Sequence, residues 1–173
     1  ICPSRGLGDV YKRQVVEIIG NPGELNVEMN SILSEYGFPL KFPPSVENEL
    51  TLVDLPNYKV EAKKRLDFRD KTTFTIDPND AKDFDDALSI DVFDNGITEV
   101  GIHIADVGHF VQENSELDKE AFLRANSVYL VDRVIPMLPK KLSNELCSLR
   151  PNEDKLTFSA VFHINDKAEV LKS

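Results

Sequence analysis

One short stretch of the chain is unusually rich in aspartate. Five aspartates fall within ten residues, and large apolar side chains such as Phe74, Phe84 and Leu88 lie among and around them. The five are Asp77, Asp80, Asp83, Asp85 and Asp86. Two carboxylates about 4 Å apart repel by roughly 4 kcal/mol at the effective dielectric of a protein surface, so a fold that gathers them needs protons or a cation. A divalent hard cation with oxygen ligands satisfies this need at neutral pH, and two such ions would form the clamp used in phosphoryl displacement.

The simplest alternative for this stretch is a solvated acidic loop. The interleaved apolar residues argue against it, because a segment that carries Ile76, Phe84 and Leu88 cannot lie wholly in water. An EF-hand loop is also excluded, since its alternating Asp/Asn register with a central glycine and a final glutamate is absent. The pattern therefore indicates a metal site of another kind.

The same stretch resembles the signature of the ribonuclease II/ribonuclease R family of exoribonucleases. The shared pattern is Asp77-x5-Asp83-x-Asp85-Asp86, and the residues of the motif are more similar to the ribonuclease R branch. Further similar blocks follow at Val100–Val107, Leu117–Lys119, Ser127–Val131, Ile135–Pro139, Leu142–Ser143 and Leu146–Pro151. The resemblance implies a 3′-to-5′ hydrolytic exoribonuclease that degrades single-stranded RNA with a free 3′ end to nucleoside 5′-monophosphates, with Mg²⁺ as cofactor and Mn²⁺ as a substitute.

The resemblance also implies roles for individual residues. Asp77, Asp83, Asp85 and Asp86 would bind the metal, with Asp83 and Asp85 also catalytic, and Tyr129 would bind the last nucleotide. From the residues alone, a tyrosine in an apolar run is a core residue. The family uses further catalytic residues later in the chain than Ser173, so we expect the 173-residue piece to be inactive alone. The parent enzyme is expected to be cytoplasmic and monomeric, with no membrane and no obligate protein partner.

Composition sets the broad class of the protein. The chain has 173 residues with 41% hydrophobic and 29% charged residues, as in soluble globular domains. No apolar run approaches the length of a membrane span, and two cysteines provide neither a disulfide framework nor a metal spacing. The net charge of −10 argues against a general polyanion binder but not against a metal-dependent one, because bound cations would invert the local field.

The predicted fold class is α+β, with four segments along the chain. Residues 1–14 match nothing that follows and read as non-native read-through. Residues 15–45 would be the end of an OB/cold-shock-like β-barrel with its following helix, and 46–71 a linker. Residues 72–173 would be the truncated start of an RNB-type catalytic domain, with a mixed, largely antiparallel sheet and surrounding helices. The basic-rich stretch 59–71 either guides a phosphate backbone or forms a solvated face paired with local acids.

Local patterns predict the main elements. A strand is expected at 15–19, and a helix with Asn21 as N-cap and Gly37 as its stop. Asp94–Gly96 predicts a hairpin turn. Ser115 predicts a helix that runs to about Asn126, with its inner face at Leu117, Ala121, Phe122 and Ala125. A strand at Leu156–Ile164, a turn at 165–167 and the start of another strand end the chain.

The remaining candidates favour structural roles. His103 and His109 could serve acid–base catalysis, but a structural or surface position fits them better. We interpret Arg133 and Arg150 as structural, Cys147 as a small buried hydrophobe and Asp80 as a turn residue. Two rival functions stay open: an RNA-binding module without catalysis, and a divalent-metal protein that is not a nuclease.

Overall fold

The computed structural model describes residues 18–21 and 23–173. The predicted read-through segment 1–14 and residues 15–17 of the predicted first strand lie outside that part of the chain, and Ile18 and Ile19 are irregular. The helices are α1 (Leu25–Glu35), α2 (Pro44–Thr51), α3 (Tyr58–Glu61) and α4 (Glu116–Arg124), with a 3₁₀ turn at Val107–His109 and a π-helical segment at Lys141–Leu146. The strands are β1 (Thr72–Phe74), β2 (Asp86–Val92), β3 (Thr98–Ala105), β4 (Val128–Tyr129), β5 (Val134–Ile135), β6 (Thr157–Ile164) and β7 (Val170–Lys172). The predicted α+β class is confirmed.

Five strands form one antiparallel sheet in the order β1-β2-β3-β6-β7, and β4 pairs with β5 in a separate ribbon. The predicted hairpin joins β2 to β3. Its turn is closed by a hydrogen bond from the Gly96 amide to the Phe93 carbonyl, and Gly96 has a φ of 78°, which favours glycine. The predicted strand at Leu156–Ile164 is also confirmed as β6, and the turn after it leads into β7.

The two faces of this sheet differ sharply. Ala87, His103 and Ser159 are cross-strand neighbours on one face, which we call the His103 face. Phe68 contacts the ring of His103 from the segment that precedes β1, and His103 is 3% exposed. Ile104 and Phe158 are paired on the opposite face and are 54% and 79% exposed. Apolar side chains therefore lie in the open on that second face.

The hydrophobic core lies beside the sheet, where β3 ends. Its fully buried members come from different elements: Val46 from α2, Leu117 from α4 and Leu142 from the π-helical segment. The segment that was expected to be a linker thus contributes a core residue. This packing holds the helices against the end of β3, close to the start of β2, where the aspartates lie.

The predicted start of α1 is wrong. The N-cap is Glu24, and the helix begins at Leu25 rather than just after Asn21. The cause is Gly23, whose φ of 89° lies in the left-handed region and cannot belong to a right-handed helix. The predicted stop is right: Gly37 has a φ of 78°, and the amide of Phe38 bonds to the carbonyl of Leu33 as in a Schellman motif.

The helix predicted from Ser115 exists, with two differences. The Ser115 side chain accepts the Asp118 amide as an N-cap, but the helix ends at Arg124, because Ala125 has a φ of 64°. Phe122 and Ala125, which were predicted on the inner face, are instead exposed, Phe122 to 85%. Arg124 takes the inner position: its guanidinium lies 3.8 Å from the ring centroid of Phe42 and bonds to backbone carbonyls of neighbouring segments. Among the described residues no helix is long and apolar enough to cross a membrane.

Candidate functional site

The backbone between β1 and β2 carries all five aspartates. It turns at Pro78, whose carbonyl accepts the Ala81 amide, and Asp80 lies in this turn as predicted. The chain then runs irregularly until Asp86, the first residue of β2. The carbonyl of Asp85 accepts the Ala105 amide at 3.0 Å, and Asp86 pairs with Ile104 in the sheet. The sheet therefore fixes the backbone of the last two aspartates.

Mutual repulsion is visible at Asp85. Although Asp85 as a whole residue is exposed, partial desolvation of its carboxyl raises its pKa first, and the negative charges of Asp83, Asp86 and Asp77 raise it further. These four aspartates therefore lie within electrostatic reach of one another. The ion pairs found in residues 18–21 and 23–173 all involve other carboxylates. Within the described part, none of these four carboxylates, which we call the aspartate cluster, therefore forms an ion pair with a lysine or an arginine.

Tyr129 lies beside the aspartate cluster. Its ring is 63% exposed, and its hydroxyl donates a hydrogen bond of 2.7 Å to Oδ2 of Asp83. This bond, with burial and the nearby charges, raises the pKa of Tyr129 to about 12. The residue was expected in the core from its apolar neighbours and at the site from the resemblance. The structure places it beside the aspartate cluster, with 63% of the residue exposed, and its role in binding a nucleotide stays a prediction.

The β4–β5 ribbon holds Tyr129 in place. The Leu130 amide bonds to the Arg133 carbonyl across the ribbon, and the Ser127 hydroxyl accepts the Met137 amide. The Arg133 guanidinium in turn bonds to Asp132 and to Asn26 of α1. This supports the structural interpretation of Arg133. It also shows why a two-residue strand can present an aromatic ring to the aspartates.

The donor chemistry of the cluster fits a hard divalent cation, since carboxylate oxygens are the ligands that such ions prefer. The positions do not complete a ligand set: across the described residues, no three carboxylate, imidazole or thiolate groups converge closely enough to hold an ion. Metal binding by Asp77, Asp83, Asp85 and Asp86 therefore stays a prediction. The pKa of Asp85 shows only that the repulsion a cation would relieve is present.

His103 has a different environment from the aspartates. It is 3% exposed, its Nδ1 lies 2.7 Å from the Ser159 hydroxyl, and its Nε2 lies 2.8 Å from the Ser89 hydroxyl. Burial lowers its pKa, so the ring is neutral at pH 7. Gly101 leaves the space that the ring fills, because a Cβ there would lie 2.6 Å from Nε2. We call His103, Ser89 and Ser159 the His103 cluster, and its satisfied nitrogens agree with a structural role.

The other candidates are also accounted for by local contacts. In the basic-rich stretch, Arg65 pairs with Asp106, Arg69 with Asp67 and Lys71 with Glu99. A paired face therefore describes this stretch better than a free phosphate guide. Cys147 is buried, which raises its pKa to about 11 and leaves it a thiol.

A cleft of about 860 Å³ lies between the basic-rich stretch, the His103 face and the loop after the π-helical segment. Phe68, Phe84 and Pro151 contribute apolar surface to it, and none of the four clustered aspartates lines it. The aspartates that the sequence indicates as metal ligands thus lie outside this cleft. One residue near the cluster was given no role by sequence reasoning: Ser148, whose hydroxyl bonds to the backbone on both sides of Asp83.

The chain belongs to the RNB domain family, which matches residues 65–173. Ribonuclease R 1 of Lactococcus lactis is 41% identical over 169 residues, which cover 98% of this chain and 21% of that protein. The chain thus spans about a fifth of the length of this curated relative.

Solved structures show the same fold. Mycoplasma genitalium RNase R in complex with double-stranded RNA aligns with a TM-score of 0.80 at 28% identity, covering 89% of this chain and 27% of that one. The same enzyme in complex with ribose methylated single-stranded RNA gives 0.79 at 28% identity over 89% and 24%. Yeast Ssd1, described as a pseudonuclease, gives 0.66 at 25% identity over 89% and 19%.

Proposed function

We propose that this chain forms the acidic half of the active site of a 3′-to-5′ exoribonuclease of the RNB family. The substrate is single-stranded RNA with a free 3′ end, and the products are nucleoside 5′-monophosphates. The observation that carries the proposal is the aspartate cluster. Its four carboxylates lie within electrostatic reach of one another, none has an ion-pair partner among the described residues, and an exposed tyrosine lies beside them. A fold has no structural reason to keep this repulsion, so it marks a site that meets a cation.

Each residue has a defined part in the proposal. Asp77, Asp83, Asp85 and Asp86 would hold a divalent cation, Mg²⁺ or Mn²⁺. When bound, such an ion supplies an activated water and offsets charge on the phosphodiester. Tyr129 offers a ring on which the terminal base can stack, worth about 1–3 kcal/mol per base, while its hydroxyl orients Asp83.

Two comparisons support RNA as the ligand, and one limits the inference. The similar Mycoplasma genitalium enzyme was solved in complex with single- and double-stranded RNA. Yeast Ssd1 shares the fold and is described as a pseudonuclease. An RNA-binding role without catalysis is therefore the second candidate. The four aspartates distinguish the two, since binding alone does not need them.

We infer that the 173-residue chain alone releases no mononucleotides. Two observations support this inference: none of the described lysines or arginines forms an ion pair with the aspartate cluster, and the chain covers only 21% of the Lactococcus lactis relative. A chimera supplies the missing groups: this chain replaces the aligned segment of the Lactococcus lactis relative, to which it is 41% identical.

The test follows the shortening of 5′-labelled single-stranded RNA by the chimera in Mg²⁺. We expect stepwise 3′ shortening, and a loss of about a hundredfold or more for Asp85→Asn, because a bound cation supplies several kcal/mol of transition-state stabilisation. Asp80→Asn is the matched control, because Asp80 lies three residues after Asp77 but outside the pattern, and it should keep the parent rate. A folded chimera that binds RNA but never shortens it would support the binding role instead.

A further inference from the structure

Ser148 is a fully buried polar residue far along the chain from the aspartates. It follows the π-helical segment and has 0% exposed surface. A serine hydroxyl offers one donor and two acceptor sites, and burying it without partners costs about 1–3 kcal/mol. Its neighbour Cys147 belongs to the hydrophobic core, so the backbone at this position is held by packing.

The partners of this hydroxyl are the peptide groups on the two sides of Asp83. The Ser148 hydroxyl donates to the Lys82 carbonyl at 2.9 Å and accepts the Phe84 amide at 3.1 Å. The next residue adds a third bond, from the Leu149 amide to the Phe84 carbonyl at 2.8 Å. One side chain and one peptide group therefore fix the backbone from residue 82 to residue 84.

This contact lies where the aspartate loop has no regular partner. Asp86 is held by the sheet, and the Asp85 carbonyl by the Ala105 amide. Residues 82–84 precede β2, so their backbone groups must find partners elsewhere. Like charges repel, so a loop that were free to move would let Asp83 and Asp85 separate.

We propose that Ser148 is a positioning residue for the aspartate cluster: its hydroxyl ties both flanks of Asp83 to the core and so keeps Asp83 beside Asp85. The effect passes through the backbone, because Ser148 touches neither carboxylate. The Tyr129 hydroxyl then sets the side chain of Asp83, whose main chain Ser148 has fixed. The role of Asp83 in binding a cation rests on the function proposed above. The hydrogen bonds between Ser148 and the backbone on both sides of Asp83, which we call the tie, do not depend on that function.

The test compares Ser148→Ala with Ser89→Ala in the 173-residue chain. Ser89 is the matched control, because it is 1% exposed and also gives up a buried hydrogen bond, but its partner is His103. Amide hydrogen exchange, followed by NMR, reads the tie directly. We expect the Phe84 amide to exchange at least about tenfold faster in Ser148→Ala, beyond any change common to the whole protein, and to be unaltered by the control substitution.

The second measurement is the dissociation constant of Mn²⁺ for the same proteins. We expect it to rise about 10–100-fold in Ser148→Ala, as for other groups that orient metal ligands, and to change little in Ser89→Ala. If Ser148→Ala does not fold, Ser148→Cys replaces it, since a thiol is a much weaker donor at similar size.

The outcomes separate this inference from the proposed function. Unchanged protection at Phe84 overturns the tie whatever happens to metal binding. Faster exchange at Phe84 with an unchanged Mn²⁺ constant overturns the positioning role. If the unsubstituted chain binds no Mn²⁺, the metal-dependent function loses its support, and the exchange measurement still decides whether Ser148 holds the loop.

Discussion

The His103 cluster and the aspartate cluster both involve strand β2, and they differ in how their polar atoms are satisfied. His103 is buried, and each ring nitrogen has a serine hydroxyl within 2.8 Å. The pKa of Asp85 is raised first by burial and then by three like charges. Within the described residues, no buried side-chain nitrogen or oxygen lacks a hydrogen-bond partner. The described part of the molecule therefore satisfies its buried hydrogen-bonding groups but leaves the mutual repulsion of the aspartates in place.

This difference separates a structural polar group from a functional one better than residue type does. A histidine on a strand is a natural candidate for acid–base chemistry, but its nitrogens here are occupied from within the fold. The aspartates carry a repulsion that the fold retains and does not relieve. The raised pKa of Asp85 and the lowered pKa of His103 mean that acid favours the folded state at Asp85 and opposes it at His103.

The largest effect is expected from closing the space beside His103. In Gly101→Ala the new Cβ would lie 2.6 Å from Nε2 and would also overlap the Ser89 hydroxyl. We expect a loss of about 2 kcal/mol in the free energy of unfolding by urea, because the buried Ser89 and His103 side chains leave no room for a Cβ at this position. Gly96→Ala is the control for glycine removal: nothing lies within 4 Å there, and only its positive φ opposes alanine, at about 1 kcal/mol. Equal losses at both glycines would show that the His103 cluster is not tightly packed.

Sequence patterns predicted much of the fold, and the failures have local physical causes. The hairpin at Asp94–Gly96 and the N-cap at Ser115 are right, because turn and cap chemistry depends on a few adjacent residues. The start of α1 is wrong, since the positive φ of Gly23 outweighs a favourable cap pattern at Asn21. The prediction that Phe122 lies on the inner face of α4 is wrong. Arg124 occupies the inner face instead, with its guanidinium over the ring of Phe42.

The site divides in the same way. The aspartates are neighbours in sequence, so their proximity could be predicted from spacing alone. Tyr129 required the family resemblance, because its apolar neighbours favour a core position, whereas its ring is exposed. Ser148 could not be found from the chain, since its partners are 64 and 66 residues away and only the fold brings them together.

A smaller effect is expected from the pH dependence of the His103 cluster. Burial lowers the pKa of His103 below its ordinary 6.5, so the unfolded chain takes up a proton at a higher pH than the folded protein. The stabilisation by neutral His103 is complete above about pH 6.5 and decreases as the pH falls toward the folded pKa. We therefore expect the difference in melting temperature between the unsubstituted protein and His103→Gln to shrink between pH 7.5 and pH 5.

The control for this titration is Gly96→Ala, which removes no titratable group. Its difference from the unsubstituted protein should stay nearly constant over the same range. A constant difference for His103→Gln as well would mean that the ring titrates normally, and the contrast between the two clusters would then rest on geometry alone.

The smallest effect is expected at the aspartates in the absence of metal, and its sign is the informative part. Asp85→Asn removes one of the mutually repelling charges and should raise the free energy of unfolding by a few tenths of a kcal/mol, because exposed charges interact weakly. Most substitutions destabilise, so even a small gain is diagnostic of a site kept for another purpose. Asp166→Asn, in the exposed turn before β7, is the charge-matched control and should change the stability less, since no cluster surrounds it.

Urea unfolding in EDTA measures the free energy of unfolding of both variants. A loss of stability in Asp85→Asn would mean that its carboxylate is already satisfied within the fold, which would make the aspartate cluster resemble the His103 cluster and remove the argument that it marks a cation site.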